Sequence, residues 1–223
     1  MSRMYGPIHR SLQDRFDTRR LADNIEKRVV GTEITEDQKS FIESRDMFWL
    51  ATVDHQGRPT VSYKGGDPGF VRVLDSRTIA FPCYDGNGMF YSMGNLIGTD
   101  QIGMLFVSFE RPHRLRVQGI ASVDDNDHLL GEFFEAQMVV RVTVTEIFRN
   151  CPRYVHRYKK IAESEYVPKA ECKTPLAAWK RVDDVQAALP KKDQGRAAHE
   201  GGVITRAEYE KYLSGTAKTG ASD

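Results

Sequence analysis

The sequence predicts a mainly β fold, a barrel or sandwich with helical additions, and three observations carry that reading. About seven short runs with strand character follow one another between residues 48 and 147, bounded by turns rich in Gly, Pro and Asp. Few helical stretches separate them, which disfavours a doubly wound α/β sheet. No Gly-x-Gly-x-x-Gly follows a strand, so a Rossmann nucleotide site is not supported.

The elements can be justified in order. From Ser11 to Val29 the apolar positions Leu12, Phe16, Leu21, Ile25 and Val29 recur every four or five residues, predicting one striped helix that Gly31 ends. Arg15, Arg19, Arg20, Lys27 and Arg28 form its charged, solvated remainder. Thr35 and Gln38 have capping-box spacing, so a second helix starts there, docks through Phe41 and Ile42, and ends near Arg45. Phe48–Val53 and Pro59–Tyr63 read as a hairpin around Asp54-His55-Gln56-Gly57, with Thr60, Ser62 and Lys64 on one face of the second strand. That polar row faces either solvent or a ligand. Phe70–Leu74 and Thr78–Phe81 read as another hairpin, and Gly88–Ile97 as a helix with Met89, Met93 and Leu96 on its apolar side.

Ile102–Phe109 is almost continuously apolar, as a central strand requires. In the strand Arg114–Val123, Arg114, Arg116 and Gln118 share a face, and guanidinium groups are costly to bury without an acceptor. That face is either wet or ligand-facing. Ala136–Ile147 is the clearest long strand, with Met138, Val140, Val142 and Val144 on one side. Beyond Asn150 the composition turns polar and helical, with Pro175 and Trp179 as docking points. Pro190–Gly202 is loop-like, Thr205 and Glu208 offer a last capping box for a helix through Leu213, and Thr216–Asp223 is expected to fray. The expected divisions are an N-terminal helical extension over 1–34, a β domain over 35–160 and a C-terminal helical and loop extension over 161–223.

The 32 Lys and Arg against 31 Asp and Glu give a net charge of +1, with no general electrostatic reason to bind nucleic acid or a membrane surface. No apolar window approaches the length of a membrane span and the first residues lack a signal-peptide core, so the cytoplasm is the expected location. Cys83, Cys151 and Cys172 lack metal-ligand spacing, so no metal site is expected, and Cys83 and Cys151 are expected to be core or shielded residues. No Ser or Cys stands beside a His and Asp in a spacing that nominates a nucleophile, so the catalytic residues stay unassigned.

The unusual chemistry concentrates in residues 62–95. Two Gly-rich turns, Lys64-Gly65-Gly66-Asp67-Pro68-Gly69 and Asp85-Gly86-Asn87-Gly88, flank strand-like segments, and the second opens onto a helix start. Glycine lets backbone N–H groups approach an anion, and a helix start presents unpaired donors. The same turns would also serve simply to join hairpins.

The segments FWLATVDHQGRPTVSYKGGDPGFVRVLD, TIAFPCYDGNGMFYSMGNL, IGMLFVSFERPHRLRVQGIA and NCPRYV together resemble the pyridoxamine 5′-phosphate oxidase-like FMN-binding split-barrel family, over roughly residues 35–160. The resemblance implies a six-stranded split β-barrel that forms a homodimer with FMN at the subunit interface and acts on a small-molecule substrate. It places Ser62, Lys64, Gly65 and Gly66 along the flavin ring, and Asn87, Met89, Phe90 and Ser92 near the ring, ribityl chain or phosphate. It also places Arg114 and Arg116 on a strand with polar flavin contacts, and Asn150 and Arg153 within reach of a flavin, that of the other subunit. Pyridoxamine 5′-phosphate oxidases proper carry an Arg-Lys pair in the stretch matching Phe90-Tyr91-Ser92, and this chain lacks it. Phosphate anchoring is then expected from Lys64, Arg72 or Arg114, and oxidation of pyridoxamine phosphate is not expected. The alternatives are a flavin- or haem-binding protein without turnover and a deazaflavin-dependent reductase on the same fold.

Overall fold

The computed structural model describes residues 2–214, so the expected fraying of Thr216–Asp223 lies outside the described residues. The chain divides into two compact units, one ending at Ile161 and one beginning at Ala162.

The first unit holds one antiparallel sheet of seven strands, one more than the six implied by the resemblance. These are β1 Met47–Val53, β2 Pro59–Gly65, β3 Arg72–Asp75, β4 Thr78–Tyr84, β5 Gln101–Ser108, β6 His113–Asp124 and β7 Ala136–Asn150, in the order β2-β1-β5-β6-β7-β4-β3. Phe48 on β1 and Phe81 on β4 are separated by three strands, which would put them roughly 19 Å apart in a flat sheet with ~4.8 Å between neighbours. Their ring centroids lie 5.0 Å apart. The sheet therefore curls on itself, closed by packing rather than by a hydrogen-bonded seam, and the chain is a mainly β split barrel. Phe106 and Phe70 join Phe48 in the same core, with Ile42, Leu50, Leu115, Val117 and Ile147 fully buried around them.

Helix α3, Glu36–Glu43, forms with the expected reciprocal cap between Thr35 and Gln38, and buries Ile42 completely. Helix α4, Tyr91–Thr99, buries Met93, Asn95 and Leu96. The expected single helix from Ser11 is instead two, α1 Pro7–Arg15 and α2 Arg19–Val29. Asp17 takes a left-handed φ of 50°, and the Thr18 N–H turns back to the Gln13 carbonyl at 2.8 Å, which stops the first helix. The apolar stripe does not reach the core: no residue of either helix is buried, and Phe16 is 67% exposed.

In the second unit, residues 162–177 are turns and irregular chain rather than the expected helix. Short 3-10 turns follow at Ala178–Arg181, Asp183–Ala188 and Arg196–Ala198, and then α5, Arg206–Leu213, begins at the expected Thr205–Glu208 cap. Lys180 and Asp193 form a buried ion pair at 2.7 Å, stacked beside Trp179. No helix among the described residues is long and apolar enough to cross a membrane.

Candidate functional site

The residues singled out by sequence separate into two clusters on opposite faces of the sheet. The register pairs Phe48, Leu50 and Thr52 of β1 with Lys64, Ser62 and Thr60 of β2. Since these β1 residues are buried, the polar row of β2 faces inward and Val61 and Tyr63 face outward, 71% and 62% exposed.

On the inner face, Ser62 Oγ and Ser92 Oγ are hydrogen-bonded at 3.2 Å, which ties the polar row to the first turn of α4. Thr52 and Thr60 share a 2.6 Å hydroxyl contact, and Asn95 Nδ2 donates to Thr52 at 3.0 Å. Asn95, to which no sequence motif assigned a role, is the buried link between α4 and the hairpin. Tyr91 adds a second link by donating its hydroxyl to Asp54 at 3.0 Å. The Arg58 guanidinium, the amides of Arg58 and Gln56, and Tyr91 together hold the Asp54 carboxyl well below the usual carboxylate range.

Lys64 stands at the end of this row. Its ammonium is largely withdrawn from water, which lowers its pKa, and no carboxylate acts on it among the described residues. Its electrostatic neighbour is Cys83, whose thiol is pushed up by burial. Gly66 is required by packing, since a Cβ there would meet the root of the buried Phe70 side chain at 2.4 Å, whereas at Gly65 it would meet only the far end of the exposed Tyr63 ring, at 2.8 Å. The Gly66 amide already donates to Asp46 and that of Gly69 to Glu43, so this turn has fewer free donors than its glycines suggest. In the second turn Gly86 and Gly88 face open space, and Asn87 accepts the Met89 amide at 3.1 Å. Met89 and Phe90 are exposed, and Phe90 precedes α4 at φ 47° with no side-chain cap on the helix.

On the outer face, Arg114, Arg116 and Gln118 line a groove of about 680 Å³ with Trp49, Leu105 and Val61. Trp49, Phe109 and Tyr158 form a chain of edge-to-face rings beside it, a wall that no sequence motif marked. Arg114 donates to the Cys151 carbonyl, and Asn150 is its cross-strand neighbour. The Arg114 Nε and Asn150 Oδ1 atoms are buried with no partner among the described residues. Arg116 lies over the Phe148 ring, and exposed Arg153 over that of Tyr154.

Two expectations change. Arg72 is ion-paired with Glu132 and stacked on Phe133, which leaves Lys64 and Arg114 as candidate phosphate anchors. Cys151 is exposed rather than shielded.

Residues 34–159, more than half of the chain, match the family described as pyridoxamine 5′-phosphate oxidase. No curated protein matches the chain. Among solved structures, it is similar to HupZ of Group A Streptococcus at 21% identity and a TM-score of 0.43, covering 56% of this chain and 99% of that one. It is similar to an FMN-binding protein of Syntrophomonas wolfei at 13% identity, with a TM-score of 0.41 and coverage of 63% and 97%. HutZ, the heme storage protein of Vibrio cholerae, aligns at 21% identity, with a TM-score of 0.39 and coverage of 52% and 93%.

Proposed function

The chain belongs to the pyridoxamine 5′-phosphate oxidase family, and on that premise we propose that it is an FMN-binding, homodimeric flavoprotein of the cytoplasm that works as an oxidoreductase on a small molecule. The observation that carries this reading is Lys64: a desolvated ammonium without a carboxylate partner is costly unless an anion arrives to meet it. A flavin phosphate or the ring's negative charge would supply that anion.

The separation of the candidates supports a dimer. Ser62, Lys64 and Ser92 lie on one face of the sheet, Arg114, Arg116 and Asn150 on the other, an arrangement that suits a ligand held between two copies, each contributing one group. The exposed Val61 and Tyr63 give the outer face an apolar surface suited to a second copy. Bound FMN would supply the electron transfer, while Lys64 would hold its negative charge, Ser62 and Ser92 would orient its polar edge, and the outer arginines would close the pocket against water.

The missing Arg-Lys pair argues against pyridoxamine phosphate as substrate. A carrier that holds flavin without turnover is the second reading, favoured by the lack of an acid–base pair beside Lys64 among the described residues.

Purified protein is expected to be yellow, to release a cofactor with the mass of FMN, and to sediment as a dimer. Lys64→Ala should lose FMN that the surface control Lys27→Ala retains. Colourless protein that refuses added FMN, or preferential binding of a deazaflavin, would overturn the assignment. Reduced protein that candidate acceptors reoxidise no faster than free flavin would favour the carrier.

A further inference from the structure

A second cavity, of about 860 Å³, opens at the end of the barrel where α3, the β5–β6 turn and the end of β7 meet. Arg45, Arg111 and Arg149 line it together with Phe41, His113 and Asn150, and no carboxylate is among the lining residues. It shares only Asn150 with the flavin candidates.

The cations here are incompletely neutralised. Arg45 is partly buried, its Nε is buried without a partner, and Asp46 and Glu110 act on it only through space. The Arg111 guanidinium has no acceptor among the described residues. Among the described residues Arg149 pairs only with Asp37, at 3.9 Å, and that carboxyl is 87% exposed. Asn150 Oδ1 is also buried and unpartnered, and rotation of its amide would present the NH2 group instead. The Phe41 and His113 rings, 4.2 Å apart with Arg45 over Phe41, form an aromatic wall beside these donors.

We propose that this pocket is a separate binding site for a small phosphorylated molecule, its phosphate gripped by Arg45, Arg111 and Arg149 and its body against the Phe41–His113 wall. Three guanidinium forks suit a doubly charged, multi-oxygen group. The volume falls within the range of small-molecule sites and exceeds what free phosphate needs.

The test is calorimetric titration of the full chain with inorganic phosphate at low ionic strength, where screening is weak. Phosphate should bind the unaltered protein and the surface control Lys27→Gln alike, and at least tenfold more weakly to Arg111→Gln/Arg149→Gln. Acetate should bind far more weakly than phosphate. Lys64→Ala should keep phosphate binding, so failure of the flavin assignment would leave this one standing. Equal phosphate affinity in the double variant, or no binding to the unaltered protein, would overturn the proposal. So would a tenfold loss of FMN affinity in the double variant with riboflavin affinity unchanged, since the pocket would then be the flavin's own phosphate subsite.

Discussion

In β6 the polar row of Arg114, Arg116 and Gln118 faces out while Leu115 and Val117 are fully buried; in β2 the polar row of Thr60, Ser62 and Lys64 faces in while Val61 and Tyr63 face out. Both strands alternate with the same period. An ordinary half-solvated strand behaves like β6. The reversal in β2 is stable because its inner face has polar company: α4 supplies Ser92, Asn95 and Tyr91, which satisfy Ser62, Thr52, Thr60 and Asp54. The lesson is that α4 is the polar lining of this end of the barrel, and that the reversal leaves the apolar Val61 and Tyr63 of β2 exposed.

The sharpest contrast lies within β6. Leu115→Ala is expected to cost about 2–5 kcal/mol, because a fully buried side chain leaves a cavity. Arg116→Ala, one residue on and facing out, should stay within about 0.5 kcal/mol. Urea unfolding of the two variants checks both, and comparable losses would mean that the faces of β6 are misassigned.

The inner face of β2 comes next. Asn95→Ala strips Thr52 and Thr60 of a buried donor and should cost about 1–3 kcal/mol. A neutral result would mean that the network contributes nothing to holding α4 against the hairpin.

A smaller, pH-dependent effect is expected where Tyr91 meets Asp54. The Asp54 carboxyl is held low in the folded protein, chiefly by Arg58, while the unfolded chain titrates near the ordinary value of about 3.9. Its contribution is therefore fully present above that ordinary value and is lost as pH falls through the lowered one. Asp54→Asn should melt below the unaltered protein at neutral pH, with the gap closing as the solution is acidified below about pH 4. A gap that stays constant down to pH 2 would assign the loss to geometry rather than charge.

Much of this was legible from the chain. Caps at Thr35 and Thr205, the hairpins, the long β7 and the inventory of polar rows follow from local rules. Which way a row faces does not, because alternation is symmetric: Thr60, Ser62 and Lys64 read identically as a wet face or an inner one until Phe48 and Leu50 are paired with them. The role of Asn95 was not legible because its partners lie 43 and 35 residues away, although Thr52, a polar residue at a core position of Phe-Trp-Leu-Ala-Thr-Val, hinted that a donor was needed. The break at Asp17 escaped the periodicity because spacings of four and five accommodate either one helix or two.

The outer face of β2 carries the smallest expected change in stability and the greatest weight for assembly. Val61 is 71% exposed, so Val61→Glu removes no core contact and should shift the folding free energy of a single copy by about 0.5 kcal/mol or less. If the outward apolar residues meet a second copy, two buried glutamates without partners would oppose that contact, and the variant should sediment as a monomer. FMN would then be lost as well, because the inner cluster around Lys64 would no longer meet the Arg114 and Arg116 of another copy. A Val61→Glu variant that stays dimeric and keeps its flavin would show that β2 is reversed only to accommodate α4, and that assembly uses another surface.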